Sequence, residues 1–409
     1  MVFQILFSGV VFYFINKVFS LKNLFNPLVF IIIFHFIFFY VGLFYKDMYS
    51  HVKIENFTVF LINYSFISIL TGGILSRYIM QKSRPYVRFP IVNSFLLINN
   101  KTTIVGFIFL ILGLLCTLNY IISAGGIIIF MEDIENTRII TRKGKGLTIQ
   151  LAINFFTYGL LTILMIKSST PFKLLFLTIV CFFVLSFGNR GPALFLMVFA
   201  LYIYQSVNKV EFSLNKIAIY GFVLFCLMVL FGSLRTNYEA DLLSLFKARF
   251  AWRPFVNIQN FQFVIDYFPT KNDYLYGYTY IVDLLMLTPG SHPNSGTYLK
   301  DMMGLEFDGG SITPSYLGMS YVNFGITGLI FSPILLGFIS NTFYEVYVAK
   351  LNLNKPSNLI LLILISFNFA SIVSSGIMTV LVQNISVLAL VHFLFIMLIY
   401  ICLLNFNTY

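Results

Sequence analysis

Residues 102–123 read TTIVGFIFLILGLLCTLNYIIS, 22 consecutive positions without a charge. At 1.5 Å rise per helical residue such a run reaches roughly 33 Å, enough to cross the hydrocarbon core of a bilayer. Comparable runs recur along the chain, near 2–16, 27–45, 57–76, 147–166, 172–187, 191–206, 216–234, 315–338, 358–378 and 385–404. The first, sixth and seventh of the full series are short. The pattern predicts an all-α polytopic integral membrane protein with about 11 transmembrane helices (range about 10–12).

Composition agrees. Of 409 residues, 59% are hydrophobic and 10% charged, with a mean hydropathy of +0.89. A soluble domain carries about 25% charged residues, so the solvent for most of this surface is lipid. Residues 1–15 are apolar, but no basic region precedes them and no small-residue cleavage site follows. They read as a first span, and not as a removable signal peptide. No repeat, low-complexity tract or soluble domain interrupts the pattern, which suggests a single transmembrane domain over residues 1–409. Cys116, Cys181, Cys226 and Cys402 all fall inside apolar runs without paired spacing, supporting neither a disulfide framework nor a zinc site.

The formal charge is +11, and its distribution sets the orientation. With alternating spans, 13 of the 26 basic residues flank or occupy the loops at 17–26, 77–101, 167–171, 207–215 and 339–357, against Glu211 and Glu345 alone. The other face is neutral. The positive-inside rule makes the basic face cytoplasmic, with the N-terminus outside and the C-terminus inside. This accounts for the basicity and argues against nucleic acid as a partner.

The same alternation puts the one long loop, residues 235–314, on the outer face. Eighty residues are too many for an idle connection, which directs attention there for function. Within it, Leu242, Leu243, Leu245, Phe246 and Phe250 share an apolar side, with Lys247, Arg249 and Arg253 turned away. Arg249 and Arg253, four apart, project from one helix face. After Pro254, Phe255, Ile258, Phe261, Ile265 and Phe268 recur at helical spacing opposite Asn257, Gln259, Asn260, Gln262 and Asp266. Two short amphipathic helices at the outer interface are expected; one reading makes them simple caps whose arginines reach lipid headgroups. The apolar stretch 281–287, interrupted by Asp283, is too short to span and reads as re-entrant or interfacial. Tyr274, Tyr276, Tyr278, Tyr280 and Tyr298 surround it. They form an aromatic belt at headgroup level or, for one or two of them, stack on sugar rings.

Elsewhere, Gly188-Asn189-Arg190-Gly191-Pro192 makes an outer hairpin in which a guanidinium meets the amide-rich start of the next helix. That suits a phosphate-rich headgroup, or equally an arginine fixing helix depth. Thr313-Pro314 reads as a second helix start. His292 is the one histidine of the long loop, and its ordinary pKa suits a general base. Asn63, Asn154, Asn368 and Asn384 inside spans are expected to hydrogen-bond between helices. No metal-ligand spacing, nucleotide loop or activated-serine motif is visible. Ionisable residues are nearly absent from span centres, which counts against an ion-coupled transporter.

Four stretches together resemble the Wzy-type repeat-unit polymerases of bacterial O-antigen and capsule assembly. They are the Asn189-Arg190-Gly191 hairpin; Arg249 with Arg253-Pro254; Tyr276-Gly277-Tyr278-Thr279 leading to Thr288-Pro289; and Thr313-Pro314-Ser315-Tyr316-Leu317-Gly318 followed by Tyr321-Val322-Asn323-Phe324-Gly325. The likeness is specific over about 190–330 and elsewhere one of hydropathy. Similar proteins often place a glutamate directly after the glycine of the last motif, where this chain has Met319.

The resemblance implies a glycosyltransferase of the plasma (inner) membrane. It would transfer a growing glycan from undecaprenyl diphosphate to a carrier-linked repeat unit on the outer face, without cofactor or metal. Donor and acceptor lipids, the bilayer and a chain-length regulator protein are the implied partners. On this basis Arg190, Arg249 and Arg253 would face the diphosphate, and His292 or Asp283 would take the acceptor proton. Tyr278, Tyr321 and Asn323 would line the cavity, or the last two would hold its helix. An O-antigen-type ligase and a lipid-linked oligosaccharide flippase are the alternatives. The topology itself is testable: single cysteines placed in residues 235–314 of a cysteine-free chain are expected to react with an impermeant maleimide added outside intact spheroplasts. Reaction only from the cytosolic side would reverse the orientation.

Overall fold

The computed structural model describes residues 26–46, 53–83, 100–131, 137–138, 140–141, 145–166, 168–188, 190–208, 242–288, 292–306, 311–350 and 356–405, with isolated positions 9, 13, 19, 219, 223 and 226. The expected spans 2–16 and 216–234 fall almost wholly outside this set. The helices are α1 (Pro27–Phe44, with a π-turn over Phe36–Tyr40), α2 (Asn56–Ser83), α3 (Asn100–Ala124), α4 (Gly146–Met165), α5 (Thr170–Leu185), α6 (Arg190–Asn208), α7 (Leu242–Tyr267), α8 (Tyr278–Leu285), α9 (Ser295–Met302), α10 (Ser315–Lys350), α11 (Pro356–Ser375), α12 (Ile377–Val380, continuing through a π-turn over Leu381–Ile385) and α13 (Ser386–Asn405). No strand occurs among the described residues.

Seven segments of this set are long and apolar enough to cross a membrane, and α5 and the start of α6 are shorter apolar helices. They overlap the nine expected spans that the described residues cover, although the segment from Ser315 is broken at Gly325. The protein is an all-α polytopic membrane protein.

Two compact units form. In the first, built from Met1–Phe89, Lys247–Leu351 and Leu364–Ile385, α2 and α10 pack backbone to backbone. A Cβ on Gly72 would meet the Ile334 carbonyl, and one on Gly337 the Ile69 carbonyl. Inside lipid there is little hydrophobic drive for helices to associate, so such close approach, with interhelical hydrogen bonds, holds the pair. The bonds are there: Ser76 and Thr342 share one of 2.8 Å, Asn341 Nδ2 donates to Ser76, and Asn26 Nδ2 donates to Asn341 Oδ1. Farther along, the Tyr40 hydroxyl donates to Asn63, as expected of an interhelical asparagine. Asn154 and Asn368 differ, each donating to a carbonyl of its own helix.

The second unit comprises Pro90–Phe246, Asn352–Ile363 and Ser386–Tyr409. There α3 and α4 meet at Gly106 and Gly159, while Gly113 receives the Phe156 ring. The rings of Phe109, Tyr158 and Phe395 join α13 to this pair, and the Tyr158 hydroxyl lies 2.9 Å from His392 Nδ1.

Two segments differ from expectation. First, residues 242–267 form a single helix through Pro254, and not two. Phe255, Ile258, Phe261 and Val264, with Phe268 beyond the helix end, are fully buried. Packing along this stripe carries the helix past the missing proline N–H. Asn257 and Gln262, expected on the wet side, are also buried; Gln262 accepts from Thr58 Oγ1 (2.6 Å) and the Glu55 amide.

Second, α10 is not straight. Gly325 adopts φ 59°, ψ −144°, a conformation open mainly to glycine. The Ser320 and Ser332 hydroxyls are 2.8 Å apart, whereas 12 residues of continuous helix would separate them by about 18 Å. The chain therefore doubles back, laying residues 315–324 (α10a) beside 326–350 (α10b). The expected span from 315 begins instead after the reversal.

Gly72→Ala and Gly337→Ala are each predicted to destabilise the protein by about 1–3 kcal/mol, because a backbone atom occupies the methyl position. Gly146→Ala, where nothing lies within 4 Å, is the control. Unfolding in mixed micelles measures the difference, and wild-type stability of the first two would refute the packing described.

Candidate functional site

A helix leaves its last four carbonyls without partners. At the end of α10a the turn before α8 supplies donors. Leu275 N–H donates to the Val322 carbonyl and Tyr276 N–H to the Asn323 carbonyl, both at 2.9 Å. The Asn323 side chain completes the join: its Oδ1 accepts from Gly277 N–H (3.0 Å), and its Nδ2 donates to Thr279 Oγ1 (2.6 Å) and the Met319 carbonyl (2.8 Å). Tyr276 (φ 45°) and Gly277 (φ 93°) are both left-handed here. Two sequence motifs, Tyr276-Gly277-Tyr278-Thr279 and Tyr321-Val322-Asn323-Phe324-Gly325, are thus one hydrogen-bonded device.

Beside this join, in the first unit, lies a cavity of about 770 Å³. Its mouth is formed by Tyr274, Tyr276 and Tyr280 with Ser320, and one wall follows a face of α10b through Thr327, Phe331, Leu335 and Ile339. The first and last of these lie 12 positions apart, about 18 Å along a helix. Phe369, Ile372, Ile377 and Leu381 make the opposite wall. Phe331, Leu335 and Ile339 are each more than half exposed. The polar groups extend from the tyrosines as far as Ser332, and the rest is hydrocarbon.

Of the expected cavity residues, Tyr278, Tyr321 and Asn323 are not in the wall; their neighbours Tyr274, Tyr280, Ser320 and Phe324 are. Asn323 and Tyr321 hold the helix instead. Tyr321 donates to the Phe268 carbonyl (3.2 Å) and meets the Tyr274 ring edge-on at 5.7 Å. Tyr278 lies against Tyr298, ring centroids 5.5 Å apart. Tyr280, one of the five tyrosines expected around this segment, turns inward. Burial pushes its hydroxyl above the ordinary pKa, although bonds to Ser320 and Asn323 oppose this.

Asp283 is 2% exposed, and three donors engage its carboxylate. Ser295 N–H reaches Oδ1 at 2.8 Å, while Ser295 Oγ (3.0 Å) and Thr379 Oγ1 (2.8 Å) reach Oδ2. It braces α8, the start of α9 and α12. Meanwhile Ile281, Leu284, Leu285 and Leu287 of that stretch point outward. A soluble helix does the reverse; the arrangement suits the lipid interface expected of this segment. His292 is half-buried, its Nε2 3.0 Å from Thr288 Oγ1, and lies outside the cavity wall.

The backbones of Arg249 and Arg253 belong to α7, one turn apart, and Pro254 packs on Gly42 near the end of α1. Arg190 is the first residue of α6, in the second unit. The guanidinium groups of all three fall outside the described side chains. Beside the Arg190 hairpin, Gly188 receives the stem of Arg138, a cation that sequence reading passed over because its neighbours are distant in the chain. Burial draws the Arg138 pKa downward. Thr313 is held by Asn260, whose Nδ2 lies 3.4 Å from both its carbonyl and its hydroxyl. No group of three or more His, Cys, Asp or Glu that could hold a metal ion occurs among the described residues.

Among known protein families, the model described as "Putative O-antigen polymerase" matches residues 23–355. No curated protein and no solved structure matches. The matched region covers most of the chain and contains the locked turn and the reversed α10, and on that ground the chain belongs to the O-antigen polymerase family.

Proposed function

We propose that this protein is a polysaccharide polymerase that joins undecaprenyl-diphosphate-linked oligosaccharide repeat units on the outer face of the plasma membrane. The observation that carries the reading is the cavity: an apolar trough about 18 Å long, polar and aromatic at one end. A lipid-linked glycan has the same division, a hydrocarbon tail beneath a charged and hydroxylated head. A flexible isoprenoid chain fits.

In the proposed step, a hydroxyl of the acceptor glycan attacks the anomeric carbon of the donor glycan. The bond from that carbon to the diphosphate oxygen breaks, and undecaprenyl diphosphate leaves with the bonding pair. Negative charge grows on the leaving group, and cationic groups aimed at it lower the barrier. Arg249 and Arg253, whose backbones lie one turn apart in α7, are assigned this task. The acceptor proton goes to His292 and not to Asp283, whose oxygens are engaged by three donors. Asp283 has a positioning role, fixing α8 and with it Tyr280 at the cavity.

The test is incubation of purified protein with a defined undecaprenyl-diphosphate repeat unit. Successive longer products are expected without added nucleotide or metal, and Arg249→Ala should slow them roughly 100-fold while remaining as abundant in the membrane. A single transfer to a different acceptor would indicate a ligase. No transfer, with lipid-linked units stranded on the cytoplasmic leaflet of deletion cells, would indicate a flippase.

A further inference from the structure

We infer that Tyr276 is a sugar-stacking platform: its ring receives the face of a pyranose at the cavity mouth, in the residue nearest the diphosphate of the lipid whose tail fills the cavity. This rests on the polymerase reading for the identity of the lipid, but the platform has its own evidence.

The first observation is conformational. Tyr276 is a non-glycine residue at φ 45°, a region disfavoured for a bulky side chain and retained where surrounding structure enforces it. Here the enforcement is visible. Asn323, itself fully buried, takes the Tyr276 and Gly277 amides on its carbonyl and side-chain oxygen, and anchors its own amide on Thr279 and Met319.

The second is the result of that enforcement. Tyr276 is 79% exposed, although it forms part of the cavity mouth with Tyr274 and Tyr280. A tyrosine serving only as a headgroup anchor needs no special backbone: Tyr278, two residues on and 46% exposed, occupies an ordinary helical position. Placing Tyr276 in the left-handed region instead stands its ring free at the rim.

The third is the chemistry around it. A pyranose has an apolar C–H face and polar edges. A ring with an apolar body and a polar tip matches the face, while the hydroxyl of Thr327, an exposed residue, lines the same cavity and suits the edges. The Tyr280 hydroxyl stays protonated through the physiological range, burial having raised its pKa, and remains a donor. A bare phosphate or an acyl chain uses neither feature.

The test separates this inference from the polymerase reading by measuring binding without turnover. The probe is the repeat-unit oligosaccharide freed from its lipid by mild acid, followed by saturation-transfer NMR on the full chain in nanodiscs. Wild type should transfer saturation to the ring C–H protons of one sugar. Tyr276→Leu, of similar bulk but without a ring face, should weaken binding about tenfold, and Tyr276→Phe should largely restore it. Tyr276→Gly, which removes backbone strain, should lose binding yet melt no lower than wild type, excluding a folding defect as the cause. Equal binding by wild type and Tyr276→Leu, or no binding by wild type, overturns the platform. The lipid-linked assay stands apart from this: a product ladder made equally well by Tyr276→Leu would sink the platform and leave the polymerase intact.

Discussion

The first unit depends on how Asn323 ends a helix. Three of its hydrogen bonds tie the last turn of α10a to the turn at Tyr276–Gly277 and to the start of α8, and a fourth fixes its side chain on the Met319 carbonyl of its own helix. The next residue but one, Gly325, then reverses the chain. Neither feature is useful without the other. The reversal frees the C-terminal carbonyls of α10a at a place where the 275–277 amides can answer them, and the join fixes where the tyrosines stand relative to α10b. A buried polar network of this kind is worth having only when every member is satisfied. Asn323 meets that condition, donating twice and accepting twice.

The bilayer as solvent explains the remaining arrangement. With lipid outside, close backbone approach at Gly72 and Gly337 replaces hydrophobic burial as the glue between α2 and α10b. The 278–287 stretch keeps its acid inside, held by Ser295 and Thr379, and shows aliphatic side chains outward. The cavity obeys the same rule, with hydroxyls from the Tyr276 end as far as Ser332 and hydrocarbon along α10b beyond. Such a surface would be a liability in water. Against lipid it is a place where an isoprenoid chain can lie beside the protein while its head meets polar groups.

Hydropathy made the spans legible, since an uncharged apolar run of about 20 residues matches the bilayer thickness and little else in a folded chain demands that length. The break inside α10 was not legible, because glycine in an apolar helix reads equally as a packing notch; only its φ/ψ distinguishes the two. Pro254 misled in the opposite sense. It marks a boundary in an isolated helix, but the buried stripe from Phe255 to Phe268 carries α7 through it. Asp283 was noticed for its charge, yet its partners lie 12 and 96 residues away, beyond any local pattern. Tyr321 and Asn323 lie outside the cavity lining, and their hydrogen-bond partners outside their own helix sit 44 to 53 residues away in the chain, beyond what a local motif displays. Tyr276 stood out only as one of several tyrosines until its backbone was seen.

On the proposed reading the substrate is lipid-linked, so the central claim is that the trough along α10b holds the substrate's hydrocarbon tail. The most direct measurement is photocrosslinking in living cells from benzoylphenylalanine at Leu335, with Ile111 of α3, similarly exposed, as the reference position. The account predicts that Leu335 yields adducts with the mass of undecaprenyl-linked glycan and that Ile111 yields bulk phospholipid. Phospholipid adducts alone at both positions would contradict it.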